Sequence, residues 1–267
     1  MDSPHSKVTG TATGAGATGA AIRAEGFGLK GPRGWAFRGI GVDAAPGSLV
    51  AVTGPSGSGR TCLLLALTGR MKPAEGRARV GEHQLPRKMA AVRRISALGQ
   101  VPGVSELDPA LTVAEHLRER VMLTRRYDGS LRALVRSPAR RRAESRALID
   151  EALAAAGFDL ASLPKRDRTS VRDLERLEAL RLTVALAMIQ RPRLLAVDDT
   201  DMKLSDAERA AAWALLRRVA DGGTTVLAVC SEAPDEADTT VTTHTGADGG
   251  ATSEEGAADA FATTGSA

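Results

Sequence analysis

Apolar residues recur along this chain in two rhythms, and the switches between them outline its elements. Continuous apolar runs at Leu49–Thr53, Leu194–Val197 and Thr224–Cys230 read as buried strands. Alternation in short bursts between Ala21 and Ala45, as in Ala36-Phe37-Arg38-Gly39-Ile40-Gly41-Val42, reads as antiparallel strands ahead of a turn at Pro46-Gly47. Gly76–Val80 and Ile95–Gly99 read as further short strands. Helical spacing takes over from Leu111 to about Gly157. It opens with a capping box in Thr112-Val113-Ala114-Glu115 and is broken at Pro138 inside the basic run Arg136-Ser137-Pro138-Ala139-Arg140-Arg141-Arg142. A second long helix is expected over Leu174–Gln190, ended by Pro192. A third, over Ala207–Val219, opens with Ser205-Asp206-Ala207-Glu208 and stops at Asp221-Gly222-Gly223.

Composition narrows the class. At 267 residues and 43% apolar content the chain can bury one large core, or a core with a subdomain. Aromatic content of 3% argues against base-stacking platforms for single-stranded nucleic acid. Cys62 and Cys230 lie far apart, without ligand-type spacing, which fits a reducing compartment and no metal-thiolate site. No apolar run approaches the roughly 20 residues of a membrane helix, and the N-terminus lacks the apolar segment of a signal peptide. The expectation is a cytoplasmic protein whose membrane contact comes through a partner.

Charge is divided along the chain. Eight acids and no Lys or Arg follow Ser231, leaving 24 of the 32 acids to face all 36 basic residues. A basic body suits polyphosphates, nucleic acid or an anionic membrane face, and equally the solvated surface of an arginine-rich protein.

The first candidate for chemistry is Gly54-Pro55-Ser56-Gly57-Ser58-Gly59-Arg60-Thr61, set between a buried strand and the apolar helix Cys62–Leu67. In that setting glycines let backbone N–H groups turn inward around an anion, and the helix N-terminus adds to the attraction. The competing reading is an ordinary glycine-rich turn in a chain of 28 glycines. The second candidate is Asp198-Asp199, two carboxylates ending a buried strand, where an acid can hold the water shell of Mg²⁺.

Taken in order, these residues resemble the ATP-binding cassette of ABC transporters from about Ala21 to Val241. The carrying phrases are Ala45-Pro46-Gly47-Ser48-Leu49-Val50-Ala51-Val52-Thr53-Gly54-Pro55-Ser56-Gly57-Ser58-Gly59 and Gln190-Arg191-Pro192-Arg193-Leu194-Leu195. The resemblance implies an α/β fold, a P-loop NTPase cassette of the ABC type with a mixed central sheet, an antiparallel β subdomain and a helical subdomain. It implies a cassette over residues 21–244, with its helical part about 101–190, a disordered N-terminal tail at 1–20 and a disordered acidic tail at 245–267. It also implies ATP and Mg²⁺ as cofactors. Gly54, Pro55, Ser56, Gly57, Ser58, Gly59, Arg60, Thr61 and Cys62 would form the nucleotide loop; Thr61, Gln100 and Asp198 would serve the metal; Asp199 and Gln100 would be catalytic. Trp35 is a weaker candidate for stacking on adenine, with a core tryptophan as its other reading.

Four positions depart from the family pattern. Arg60 stands where the family has Lys, Asp199 where it has the catalytic Glu, and Ser231 where a switch His is expected. Leu174-Glu175-Arg176-Leu177-Glu178 occupies the place of the Leu-Ser-Gly-Gly-Gln signature, and only the leucine survives. The expected function is therefore a cassette that binds Mg-ATP and couples it to an integral membrane transporter subunit and a second cassette, with hydrolysis impaired. A non-hydrolysing regulatory or structural cassette is the alternative. A nucleic-acid partner is disfavoured, and the protein is expected at the inner face of the cell membrane.

Overall fold

The computed structural model describes residues 19–32, 34–127 and 137–244. Both expected tails, 1–20 (apart from its last two residues) and 245–267, lie outside them, as does Arg136 of the basic run. Strands β1 (Ile22–Gly31), β2 (Gly34–Ala44), β4 (Glu75–Val80) and β5 (His83–Leu85) form one sheet in the order β2-β1-β4-β5, antiparallel at each junction. Strands β6 (Ser96–Leu98), β7 (Leu194–Val197), β8 (Thr225–Val229), β3 (Leu49–Thr53) and β9 (Thr239–Thr242) form a second sheet, in that order and parallel throughout. The mixture of strand directions expected of one central sheet is thus divided between two sheets.

The apolar runs are continuous because both faces of the parallel sheet are covered. Val50, Val52, Leu194, Ala196, Leu227 and Val229 join a core shared with the antiparallel sheet and helix α1 (Arg60–Leu67). Their alternates Leu49, Ala51, Leu195, Val197, Val226 and Ala228 face the helices: α3 (Val113–Tyr127), α4 (Pro138–Ala155), α5 (Arg176–Met188) and α6 (Asp206–Asp221). Helix α2 (Met89–Ile95) leads into β6. Leu63 to Leu67 of α1 are all buried, so this helix is apolar on every side and sits between the two sheets.

Local signals set most of the helix starts. Thr112 and Glu115 exchange hydrogen bonds ahead of α3, and Ser205 and Glu208 do the same ahead of α6. Pro138 opens a helix instead of breaking one: at the first position of α4 its missing N–H costs nothing, and Ser137 accepts from the Arg140 N–H. Helix α5 begins at Arg176 and not at Leu174, because Glu175 is its extended cap residue and donates its N–H to the Glu178 carboxylate at 2.8 Å. Trp35 is not in the core. It is half-buried on β2 with the Arg38 guanidinium 4.6 Å from its ring centre and the Lys30 ammonium at 5.7 Å.

Candidate functional site

In an open parallel sheet the carboxyl ends of the strands form the ligand-binding edge. Here β7, β8, β3 and β9 are successive neighbours, so the segments that follow them meet at one edge. The segment after β3 is the loop 54–59. Gly59 caps α1 in the left-handed region at φ 81°, and a Cβ there would lie 2.1 Å from the Ala36 carbonyl oxygen of β2. On the other side a Cβ on Gly54 would lie 2.4 Å from the Thr243 carbonyl. Only glycine admits both neighbours.

Ser58 is fully buried and its hydroxyl lies 2.5 Å from that of Thr243, which itself donates to the Thr53 carbonyl. With the threonine proton committed, Ser58 is the donor. The loop is therefore fastened to β2 and β9, while Pro55, Ser56 and Gly57 remain exposed at its tip. Behind the tip, the first-turn N–H groups of Arg60, Thr61 and Cys62 have no carbonyl of their own helix to bond.

Asp198 is brought to this loop from 137 residues away. The Thr61 hydroxyl donates to its Oδ2 at 2.6 Å, the Asp199 N–H donates to its Oδ1 at 2.9 Å, and its own N–H donates to the Gln100 carbonyl at 2.8 Å. Gln100, two residues past β6, thus stands beside Asp198 through its backbone. Asp198 is 2% exposed, and burial raises its pKa above the usual aspartate value. The Asp199 charge adds to that rise, whereas the Thr61 hydroxyl, the Asp199 N–H and the Arg60 charge oppose it. Burial and the Asp198 charge also raise the Cys62 thiol. A hydroxyl and a carboxylate converging at 2.6 Å are hard oxygen donors suited to Mg²⁺. Thr61 spends its proton on Asp198, so its lone pairs stay free for a cation.

The neighbouring strand end is organised differently. Arg60 does not extend along the loop: its Nη1 donates to the Cys230 carbonyl at 2.9 Å, just past β8. The next residue, Ser231, donates its N–H to Asp201 Oδ2 at 2.8 Å, and its hydroxyl lies 3.4 Å from Oδ1. Thr200 donates both its N–H and its hydroxyl to the Val229 carbonyl, at 3.1 and 2.8 Å. The Cys230 thiol is pushed up to about 12, by burial first and the Asp201 charge second, with Arg60 pulling the other way. Asp199 takes a left-handed backbone at φ 50°, which Asp tolerates better than most residues.

Thr200 and Asp201 were not singled out from sequence. The available signal was three acids within four residues after an apolar strand, and only the first two were read. The structure brings Gly54–Cys62, Asp198, Asp199 and the Gln100 backbone together. It sets the Glu175 segment at the start of α5, where the Arg176 Nε donates to the Met202 carbonyl at 2.9 Å. Among the described residues no cluster of three His, Cys, Asp or Glu side chains offers a metal site by itself, and no helix is long and apolar enough to cross a membrane.

A family model described as ABC transporter matches residues 37–201. The daunorubicin resistance ATP-binding protein DrrA3 of Streptomyces coeruleorubidus is 33% identical over 225 residues, which is 84% of this chain and 64% of that protein. The Nod factor export ATP-binding protein I of Cupriavidus metallidurans is 30% identical over 70% of this chain and 55% of its own length. The chain thus spans less than two thirds of these curated relatives, and 8% of ATP-binding cassette sub-family A member 7 of Rattus norvegicus, with which it shares 30% identity over 192 residues. Among solved structures, cbiO1 from Clostridium perfringens, described as part of the ABC transporter complex cbiONQ, gives a TM-score of 0.66 over 84% of this chain and 85% of its own, at 17% identity. MJ0796, described as a bacterial ABC transporter cassette in dimeric form, gives 0.63 over 85% and 95%, at 19% identity. Structural likeness at such identities speaks for the fold alone, but the family match runs from β2 beside the loop to the acids after β7. The chain belongs to the ABC transporter family, as an ATP-binding cassette.

Proposed function

We propose that this cassette binds Mg-ATP at the β3–α1 loop and transmits its occupancy to an integral membrane transporter subunit, with hydrolysis slowed by its own substitutions. The observation that carries the reading is the 2.6 Å contact from Thr61 to Asp198, which joins the loop to the acidic strand end. Residues 54–59 and the first-turn N–H groups of α1 would hold the phosphates, and Thr61 and Asp198 would hold Mg²⁺. The metal, when bound, neutralises phosphate charge.

Asp199 would orient the attacking water and take its proton. Its carboxylate is one methylene shorter than the family glutamate, and a displacement on the order of 1 Å costs about 100-fold in rate. Ser231 offers no imidazole, and the first turn of α5 offers Glu175 where the family offers serine and glycine amides to a phosphate held by a second cassette. A groove of about 310 Å³ next to Gln100, flanked by Leu98, Gly99, Leu107, His116, Leu123 and Thr183, is the proposed seat of the membrane partner. The Nod factor relative, named for export, favours a transporter role at the inner face of the membrane.

A second reading, a regulatory cassette that does not hydrolyse, is favoured by Arg60, whose guanidinium is engaged at Cys230. Calorimetry with Mg-ATP together with a phosphate-release assay separates the two. The first reading expects Mg-dependent binding and slow turnover that Asp199→Asn abolishes; binding without any turnover supports the second. Absence of Mg-dependent binding refutes both, and turnover at ordinary transporter rates refutes the impairment.

A further inference from the structure

The basic run at the start of α4 takes no part in the proposed nucleotide site, yet Arg141 and Arg142 from it line a second groove. This groove, of about 530 Å³, lies between α3 and α4. Its rim carries Arg118 and Arg125 from α3 and Arg141, Arg142 and Arg146 from α4, against two acids, Asp150 and Asp167. Its floor is apolar, made by Leu117, Ile149, Leu153 and Leu160.

Two features separate this groove from an ordinary solvated arginine surface. The first is that the cations outnumber the acids of the rim, five to two. Arg140, one residue away, pairs with Glu144 on the outside of the helix, whereas Arg118, Arg141, Arg142 and Arg146 are in no ion pair with a described residue. Arg125 reaches across the groove and donates to the Arg141 carbonyl. The second is exposed apolar surface on the same helix. Met122 is 64% exposed; Leu123, 42% exposed, belongs to the groove beside Gln100, and only Met202 joins them as an exposed large hydrophobic residue among those described. Met122 follows Arg118 by four positions and precedes Arg125 by three, so it lies on their side of α3, next to the groove but outside its lining.

We propose that this groove docks on the headgroups of anionic phospholipid, giving the cassette a lipid contact of its own besides any made through a partner. The arginine fork matches phosphate oxygens, the apolar floor and Met122 match the acyl boundary, and juxtaposed cationic and apolar groups are what an acidic bilayer surface attracts. A soluble anion would use the arginines and leave Met122 without a role. A single-stranded nucleic acid would find no aromatic platform among the described residues that line the groove. The proposal stands apart from the nucleotide reading and is tested without nucleotide.

The experiment is co-sedimentation of the full chain with vesicles of phosphatidylcholine alone, or containing about one third phosphatidylglycerol. Binding is expected to the acidic vesicles only. It is expected to weaken at least about tenfold in Arg141→Glu/Arg142→Glu/Arg146→Glu, and severalfold in Met122→Ser. The matched reversal Lys72→Glu/Arg79→Glu/Arg87→Glu changes the net charge equally at exposed positions outside the groove and is expected to leave binding near that of the parent chain. All these positions are solvent-exposed, and circular dichroism confirms that each variant folds. Equal loss in the matched variant would overturn the proposal, as would retention in the groove variant. Displacement from the vesicles by inorganic phosphate, or tighter binding to a DNA duplex, would reassign the groove to a soluble anion or to nucleic acid.

Discussion

Two adjacent strand ends in the parallel sheet have been treated differently by this sequence. Past β7, Asp198 keeps a short contact to the loop threonine and a backbone tie to Gln100. Past β8, the residues that would face a terminal phosphate are bonded to the protein itself: the Cys230 carbonyl to Arg60, and Ser231 to Asp201. The first end keeps the hydroxyl and the carboxylate to which the proposed function assigns the metal. At the second, hydrogen bonds within the chain stand where a ligand sensor is expected. The proposed metal contact and the altered switch position thus lie at different strand ends, so substitutions can address them separately.

The sharpest way to break this contrast is Asp198→Asn. Asn still accepts the Thr61 proton on its one oxygen and gives up only the bond from the Asp199 N–H, so the fold is expected to stay, while Mg-dependent ATP affinity falls on the order of 10- to 100-fold in calorimetry. Unchanged affinity would remove the proposed role of the β7 end.

Next comes Gly59→Ala, which places a methyl 2.1 Å from the Ala36 carbonyl and a side chain at φ 81°. Thermal unfolding should show a loss of more than about 1 kcal/mol. A neutral result would mean that β2 does not grip the loop.

Arg60→Lys tests the other strand end. The shorter, compact ammonium gives up the fixed guanidinium contact to Cys230, so turnover should rise if that contact withholds the cation from phosphate. In the double variant Arg60→Lys/Asp199→Glu the gain should be larger than in either single change. A fall in turnover would show instead that the latch supports the site.

The smallest effect is expected for Ser231→Ala. It removes one long hydroxyl contact to Asp201 while keeping the N–H bond, at a cost of about 0.5–1.5 kcal/mol in thermal unfolding and little change in ATP affinity.

Much of the fold was readable because its signals are local. The runs at Leu49, Leu194 and Thr225 are buried on both faces and so lack alternation, and the Thr112 and Ser205 boxes close within four residues. Errors arose where a residue had two local meanings. Pro138 ends helices and also opens them, and Glu175 is a fair helix former that serves here as a cap. Trp35 was ambiguous because the cations beside it come both from its own strand, in Arg38, and from the neighbouring strand β1, in Lys30, and the second is placed only by sheet pairing.

The sequence by itself determined the strand–loop–helix around residues 49–67, the acids after β7 and the positions at which the family pattern is broken, since each is fixed by neighbours in the chain or by steric limits on glycine. Only the tertiary structure decided what the broken positions do. Arg60 meets Cys230 across 170 residues and Asp201 meets Ser231 across 30, pairings set by strand order in the sheet. Likewise, five arginines from two helices became one groove only when α3 packed beside α4. The direction of a long side chain depends on the acceptors that folding brings within its reach, and no local pattern carries that information.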